Sequence, residues 1–151
     1  MKKFKFKLAQ VLRYRILLED IAKSAYQVAL SELQNRINRL KELEHEKITV
    51  GKGLVIKKGA EISVQTLEFI SIYVKQLNFL IELQADLINK QKIIIKEKLE
   101  DWTMRRKDSK VIKNLEEKQK REYISASEKE EQRFLDDIFL ARRNGDVKNE
   151  K

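Results

Sequence analysis

Side chains able to do chemistry are sparse in this sequence. Asp136 and Asp137 are adjacent carboxylates, His45 stands between Glu44 and Glu46, and Ser24, Ser125 and Ser127 offer hydroxyls. A carboxylate pair could run acid–base chemistry, a histidine could hold a metal or activate a hydroxyl, and a glycine-rich loop could cradle phosphate. The spacing supports none of these. On a helix, sequence neighbours diverge by about 100°, so Asp136 and Asp137 point apart. One histidine and no cysteine cannot assemble a histidine triad or a zinc knuckle within one chain. Gly51, Gly53 and Gly59 fall close together but match neither P-loop nor dinucleotide spacing, and they read as a connection between helices. The expectation is a non-enzymatic chain with no cofactor and no metal.

The elements that carry these residues follow from composition and periodicity. With 151 residues, no proline, four glycines, 38% charged and 7% aromatic residues, the chain resembles a long helical assembly more than a multilayer globule. The absence of cysteine suits the cytoplasm. Lys5 and Lys7 interrupt what would have to be the apolar core of a leader, so we read no secretion signal. The longest apolar runs fall well short of the roughly 18 residues that span a bilayer. A net charge of +9 permits acidic partners without choosing among them.

From Leu67 to Trp102 one stripe recurs in steps of three and four: Leu67, Ile70, Val74, Leu77, Ile81, Gln84, Ile88, Gln91, Ile95, Lys98 and Trp102. A mean step of about 3.5 residues is a heptad seam, which holds one helix face toward a partner helix. Two glutamines and a lysine in the seam restrict the registers that can pair. An earlier helix offers the matching face through Leu18, Ala22, Ala25, Ala29, Leu33, Ile37 and Leu40, widened by Ile21 and Val28.

The fold expected is therefore all-α: a long antiparallel two-helix coiled-coil hairpin with a C-terminal helical overhang, in a single domain over 1–151. Helix 1 is expected over about 6–48, a turn over about 49–61, helix 2 over about 62–143, and a frayed tail over 144–151. The Lys–Phe alternation from Lys3 to Lys7 has strand periodicity but is brief. With the turn centred near Val55, the numbers of facing residues should sum to about 110, placing Trp102 near Leu8 and Leu77 near Leu33. Helix 2 beyond about Arg106 should then lack a partner. Its residues Glu116 with Lys120 and Glu117 with Arg121 have the spacing of solvent-exposed pairs.

Three apolar groups exceed what that hairpin needs. Phe69, Tyr73, Leu80, Leu83 and Leu87 form a second stripe beside the seam, with Ile72 and Phe79 farther round. One facing helix covers about one stripe, so this flank reads as an interaction surface. Phe134, Leu135, Ile138, Phe139 and Leu140 form a cluster with no intramolecular partner expected. Trp102 and Met104, with Phe4 and Phe6, should make an apolar plug where helix 1 begins. Arg105, Arg106, Lys107, Lys110 and Lys113 are clustered but interleaved with acids, as on a solvated helix face.

The opening Phe4, Phe6, Leu8, Val11, Leu12, Arg15, Glu19 and Asp20, together with the closing Leu115, Glu116, Lys118, Tyr123, Glu131, Gln132, Leu135, Asp136, Asp137, Ile138 and Arg142, resembles the FliJ family of flagellar export coiled coils. The likeness covers nearly the whole chain, including its glycine-containing turn.

That resemblance implies an antiparallel hairpin similar to the central stalk of rotary ATPases. The joined termini would enter the ring of the flagellar export ATPase, FliI, and promote its assembly. The corresponding positions are Phe4, Phe6, Leu8, Val11, Leu12, Phe134, Leu135, Asp137, Ile138 and Arg142. It also implies contact with the export-gate protein FlhA through Tyr73, Leu77, Leu80 and Gln84. Some family members handle export chaperones. The implied location is the cytoplasm, at the inner face of the cell membrane at the flagellar base, with membrane association only through partners and no nucleic acid bound. The alternatives are a coiled-coil adaptor of a related virulence type III secretion system, or a basic nucleic-acid-binding coiled coil.

Overall fold

In the computed structural model, which describes residues 2–56 and 63–149, two long helices pack against each other as an all-α hairpin. Helix α1 spans Ala9–Ile56 and α2 spans Val64–Asn149. Ser63 caps α2, its Oγ accepting from the Thr66 amide at 3.2 Å.

Both helices extend past the boundaries expected from glycine. Gly51 and Gly53 lie inside α1, and Gly145 lies inside α2 instead of ending it at about 143. A glycine within a helix costs only about 1 kcal/mol relative to alanine and breaks no hydrogen bond, so helical continuity on either side carries through it. The first helix begins later than expected, at Ala9 instead of about residue 6, after a non-helical stretch over 2–6 and a turn at 7–8. The expected turn over 49–61 is thus helical as far as Ile56. Residues 57–62, Gly59 included, and the side chains of Leu54, Val55 and Ile56 lie outside the described residues.

The contacts divide the chain into two units, Leu18–Met104 and Met1–Leu17 with Arg105–Lys151. In the first of these, Ala22, Ala29 and Leu43 of α1 and Leu77, Ile88 and Gln91 of α2 are buried. Ile70, Val74, Ile81, Gln84, Ile95 and Trp102 are half-buried, while Leu67 and Lys98 at two seam positions are exposed. Ile21 and Val28, expected to widen the face of α1, are exposed as well. One partner helix covers one stripe and leaves them out.

Polar bonds fix the pairing of this unit. Gln91 donates through Nε2 to the Ala29 carbonyl at 3.0 Å, and Gln84 does the same to the Arg36 carbonyl at 3.0 Å. Gln91 also reaches the Glu32 carboxylate at 3.3 Å. Each helical carbonyl keeps a spare lone pair, and the small side chain at Ala29 lets the glutamine come close enough to use it. Tyr73 donates its hydroxyl to Glu46. As numbers rise along α2 they fall along α1, and each facing pair adds to 119 or 120. The expected sum of about 110 is therefore corrected: for a given residue of α1, the partner lies some ten positions farther along α2. Leu77 sits at the level of Leu43, not of Leu33, and Trp102 packs its ring on Tyr26 at 5.5 Å instead of lying near Leu8.

In the unit of the two terminal segments, Leu12 and Ser109 are buried and Arg15 pairs with Asp108 at 3.6 Å. Phe4 packs on the Tyr123 ring, with centroids 5.6 Å apart, and the Tyr123 hydroxyl donates to the Lys2 carbonyl. The apolar plug expected from Phe4, Phe6, Trp102 and Met104 is thereby replaced: Phe4 has Tyr123, Trp102 has Tyr26, and Met104 is exposed. The expectation that α2 lacks a partner beyond about Arg106 is corrected too. Non-helical backbone can advance up to about 3.3 Å per residue against 1.5 Å in a helix, which lets the few residues before Ala9 reach as far along α2 as Tyr123. Arg105, Ile112, Glu116, Gln119 and Tyr123 continue the heptad as half-buried positions. The uncovered part begins later, and every residue from Glu128 to Lys148 is exposed. Lys118 and Glu122 pair at 4.0 Å along α2.

Candidate functional site

The side chains first considered for chemistry are not assembled into a site. His45, Asp136, Asp137, Ser24 and Ser125 are exposed, and Ser127 is half-buried. Among the described residues, no group of three or more His, Cys, Asp or Glu side chains is placed to hold a metal ion. No described helix is long and apolar enough to cross a membrane. Two apolar surfaces remain, one in each unit.

The surface in the terminal unit is built on the uncovered end of α2. At about 100° per residue, Phe134, Leu135, Ile138, Phe139 and Arg142 fall within about 140° of helix arc, with Asp137 beyond one edge and Leu140 on the far side. Phe134 and Leu135 are each 64% exposed and Phe139 is 72% exposed, more than a helix in water ordinarily leaves uncovered in one place. A shallow groove runs toward this stripe, lined by Lys2, Tyr123, Ala126, Glu130 and Phe134. Of the N-terminal residues picked out by sequence, Leu8 and Val11 are exposed, Phe4 and Phe6 are half-buried, and Leu12 is buried. Leu12 is therefore packed inside the unit and not on its surface.

The second surface lies on α2 in the unit of Leu18–Met104. Ile72, Lys75, Gln76, Phe79 and Leu80 line a shallow, mostly apolar groove, with Phe69 and Leu83 also exposed. Tyr73 and Leu80 are reachable from solvent, at 37% and 39%. Leu77 and Gln84 are not on that surface: Leu77 is 2% exposed, and Gln84 is engaged by the Arg36 carbonyl. The heptad explains the split. Leu77 and Gln84 share the seam with Ile70 and Ile88, whereas Tyr73 and Leu80 occupy the neighbouring stripe. Ile72 and Phe79 carry the groove although the family pattern omits them; the sequence marked them as apolar residues farther round from the second stripe.

Neither the characterised proteins nor the solved structures contain a match to this chain. Residues 4–146 match the family model described as flagellar FliJ protein, a span that takes in both helices and both surfaces, and the chain belongs to the FliJ family of flagellar export coiled-coil proteins.

Proposed function

We propose that this chain is a non-enzymatic, stalk-like coiled coil of the flagellar export apparatus, acting in the cytoplasm at the inner face of the cell membrane. Its terminal unit docks in the export ATPase ring and promotes ring assembly and activity. The flank of α2 around Tyr73 and Leu80 engages the export gate, so that hydrolysis and export are linked. Export chaperones are further partners by family likeness.

The observation that carries this reading is the exposed stripe of Phe134, Leu135, Ile138 and Phe139 on an uncovered stretch of helix. Such a stripe costs solubility unless a partner covers it, and membership of an export family names the apparatus in which that partner lies. For the gate, Tyr73 and Leu80 would make direct contact and Leu77 would act by holding α2 in place. The flagellar assignment is preferred to a virulence system because the family match is to the flagellar protein.

The test is stimulation of the cognate export ATPase by the purified chain, with Phe134→Ala and Ile138→Ala as comparisons. Both side chains are exposed, so circular dichroism should show unchanged helicity. A central apolar anchor contributes enough that each variant should need roughly tenfold more protein for equal stimulation. Full stimulation by both variants would remove the α2 stripe from the ATPase contact.

A further inference from the structure

The outer side of α2 carries a second heptad that the hairpin does not use. Phe69, Ile72, Gln76, Phe79 and Leu83 recur in steps of three and four, about 140° round the helix from the seam that faces α1. All five are exposed, Phe69 at 74% and Phe79 at 64%. The next two positions are Asp86 and Lys90, so the apolar part spans 15 residues from Phe69 to Leu83, or about 22 Å. Heptad spacing is the complement of another helix.

The flanks of this seam say which helix fits. Tyr73 and Leu80 stand on one side of it, and Lys75 and Glu82 on the other. In an antiparallel pair each flank meets its own kind across the interface, whereas in a parallel pair it meets the opposite flank. A second copy laid antiparallel, with Ile72 against Leu83 and Gln76 against Phe79, sets Tyr73 against Leu80 and Lys75 against Glu82. Twofold symmetry makes each of these contacts twice.

Other alignments are poorer. Sliding one copy by a heptad in one direction brings Lys75 onto Lys75 and Glu68 onto Glu82, and in the other direction Glu82 onto Glu82. Parallel pairing sets Lys75 against Leu80 and Glu68 against Tyr73. In the favoured alignment Glu68 meets Asn89, and Asp86 lies beside Phe69 at the wet end of the seam. The nearby charges of α1 are already engaged, Glu46 by Tyr73 and Arg39 by Glu42. Residues 18–104 carry thirteen acidic and thirteen basic side chains, so two copies of this unit meet without net repulsion.

We propose that a second copy of the chain docks on this stripe, antiparallel, making a twofold-symmetric dimer through the outer face of α2. Two heptads make a small interface, so the dimer forms at tens of micromolar and exchanges freely. Tyr73 and Leu80 stand at its edge. On the gate reading given above, the gate must therefore displace the second copy, but the pairing itself does not depend on that reading.

The experiment is sedimentation equilibrium of the full chain from about 5 µM to 0.5 mM, in about 0.05 M salt, where charge is least screened. The variants are Phe79→Ser, Lys75→Glu, Glu82→Lys and the double Lys75→Glu, Glu82→Lys, all at exposed positions and checked for unchanged helicity. The wild type should pass from monomer to dimer across this range. Phe79→Ser should weaken pairing roughly a hundredfold, because each dimer loses two apolar anchors. Each single charge reversal sets like charges together twice and should weaken pairing roughly tenfold, and the double should restore it to within about twofold. A wild type that stays monomeric throughout overturns the proposal and leaves the gate reading standing. Dimers unchanged by Phe79→Ser place the contact elsewhere and overturn it too. A double variant no better than the singles overturns the antiparallel alignment, and species that grow beyond dimer overturn the closed pair.

Discussion

One heptad stripe along α2 serves both units, with different chemistry in each. In the unit of Leu18–Met104 the buried positions are Leu77, Ile88 and Gln91, facing an α1 stripe rich in alanine. In the terminal unit the same stripe reads Arg105, Ser109, Ile112, Glu116, Gln119 and Tyr123. Its partner there is first the start of α1, with Arg15 on Asp108, and then the non-helical residues 2–6, with Phe4 and Tyr123 as the ring contact. The first pairing rests on apolar burial with glutamine donors. The second rests on an ion pair, a tyrosine latch and two phenylalanines. The comparison shows that periodicity locates a helix face, while residue type decides what can lie on that face.

The largest effect should come from the apolar seam. Leu77→Ala removes a side chain that is 2% exposed and should cost about 2–4 kcal/mol in thermal or urea unfolding. A loss under about 1 kcal/mol would mean that this unit does not rest on apolar burial as argued. Tyr123→Ala should be milder, about 1–2 kcal/mol, because it removes one ring contact and one hydrogen bond. Its sharper readout is amide exchange and proteolysis of residues 3–7, which should accelerate while the unit of Leu18–Met104 keeps its protection. Unchanged protection at residues 3–7 would remove the latch. The smallest effect should be a gain: a Cβ at Gly51 meets open space and no described glycine has positive φ, so Gly51→Ala should raise stability by about 0.5–1 kcal/mol.

Much of this was legible because helix faces are local. The steps of three and four from Leu67 to Trp102 marked the side of α2 that faces α1, and the alanines at 22, 25 and 29 marked the matching side. The outer stripe containing Tyr73 and Leu80 followed from the same counting, as did the exposed cluster at Phe134–Leu140. Glycine misled at Gly51, Gly53 and Gly145, because a helix tolerates a modest local penalty when the residues around it remain helical. The Lys–Phe alternation at 3–7 matches an alternation of exposed lysines and half-buried phenylalanines, in a non-helical stretch that ends in a turn. Its brevity hid its importance, since a strap needs few residues to cover a long stretch of helix. Leu77 and Gln84 show the limit of family pattern: positions four and seven apart share a general direction on a helix, but the seam takes one stripe and leaves its neighbour to solvent.

The sequence by itself determined that the chain forms long helices, which stripe of each is buried, and where apolar surface remains in excess. Those properties depend on spacing along one helix. Register was decided only in the tertiary structure, because a heptad pattern slid along its partner by seven residues, or by a mixed step of ten, meets nearly the same pattern again. The choice falls to particular meetings across the helices: Gln84 with the Arg36 carbonyl, Gln91 with the Ala29 carbonyl, and Tyr73 with Glu46. In the terminal unit it falls to Tyr123 with Lys2 and Phe4. Each joins residues remote in sequence, and its free energy arises only when both halves arrive together.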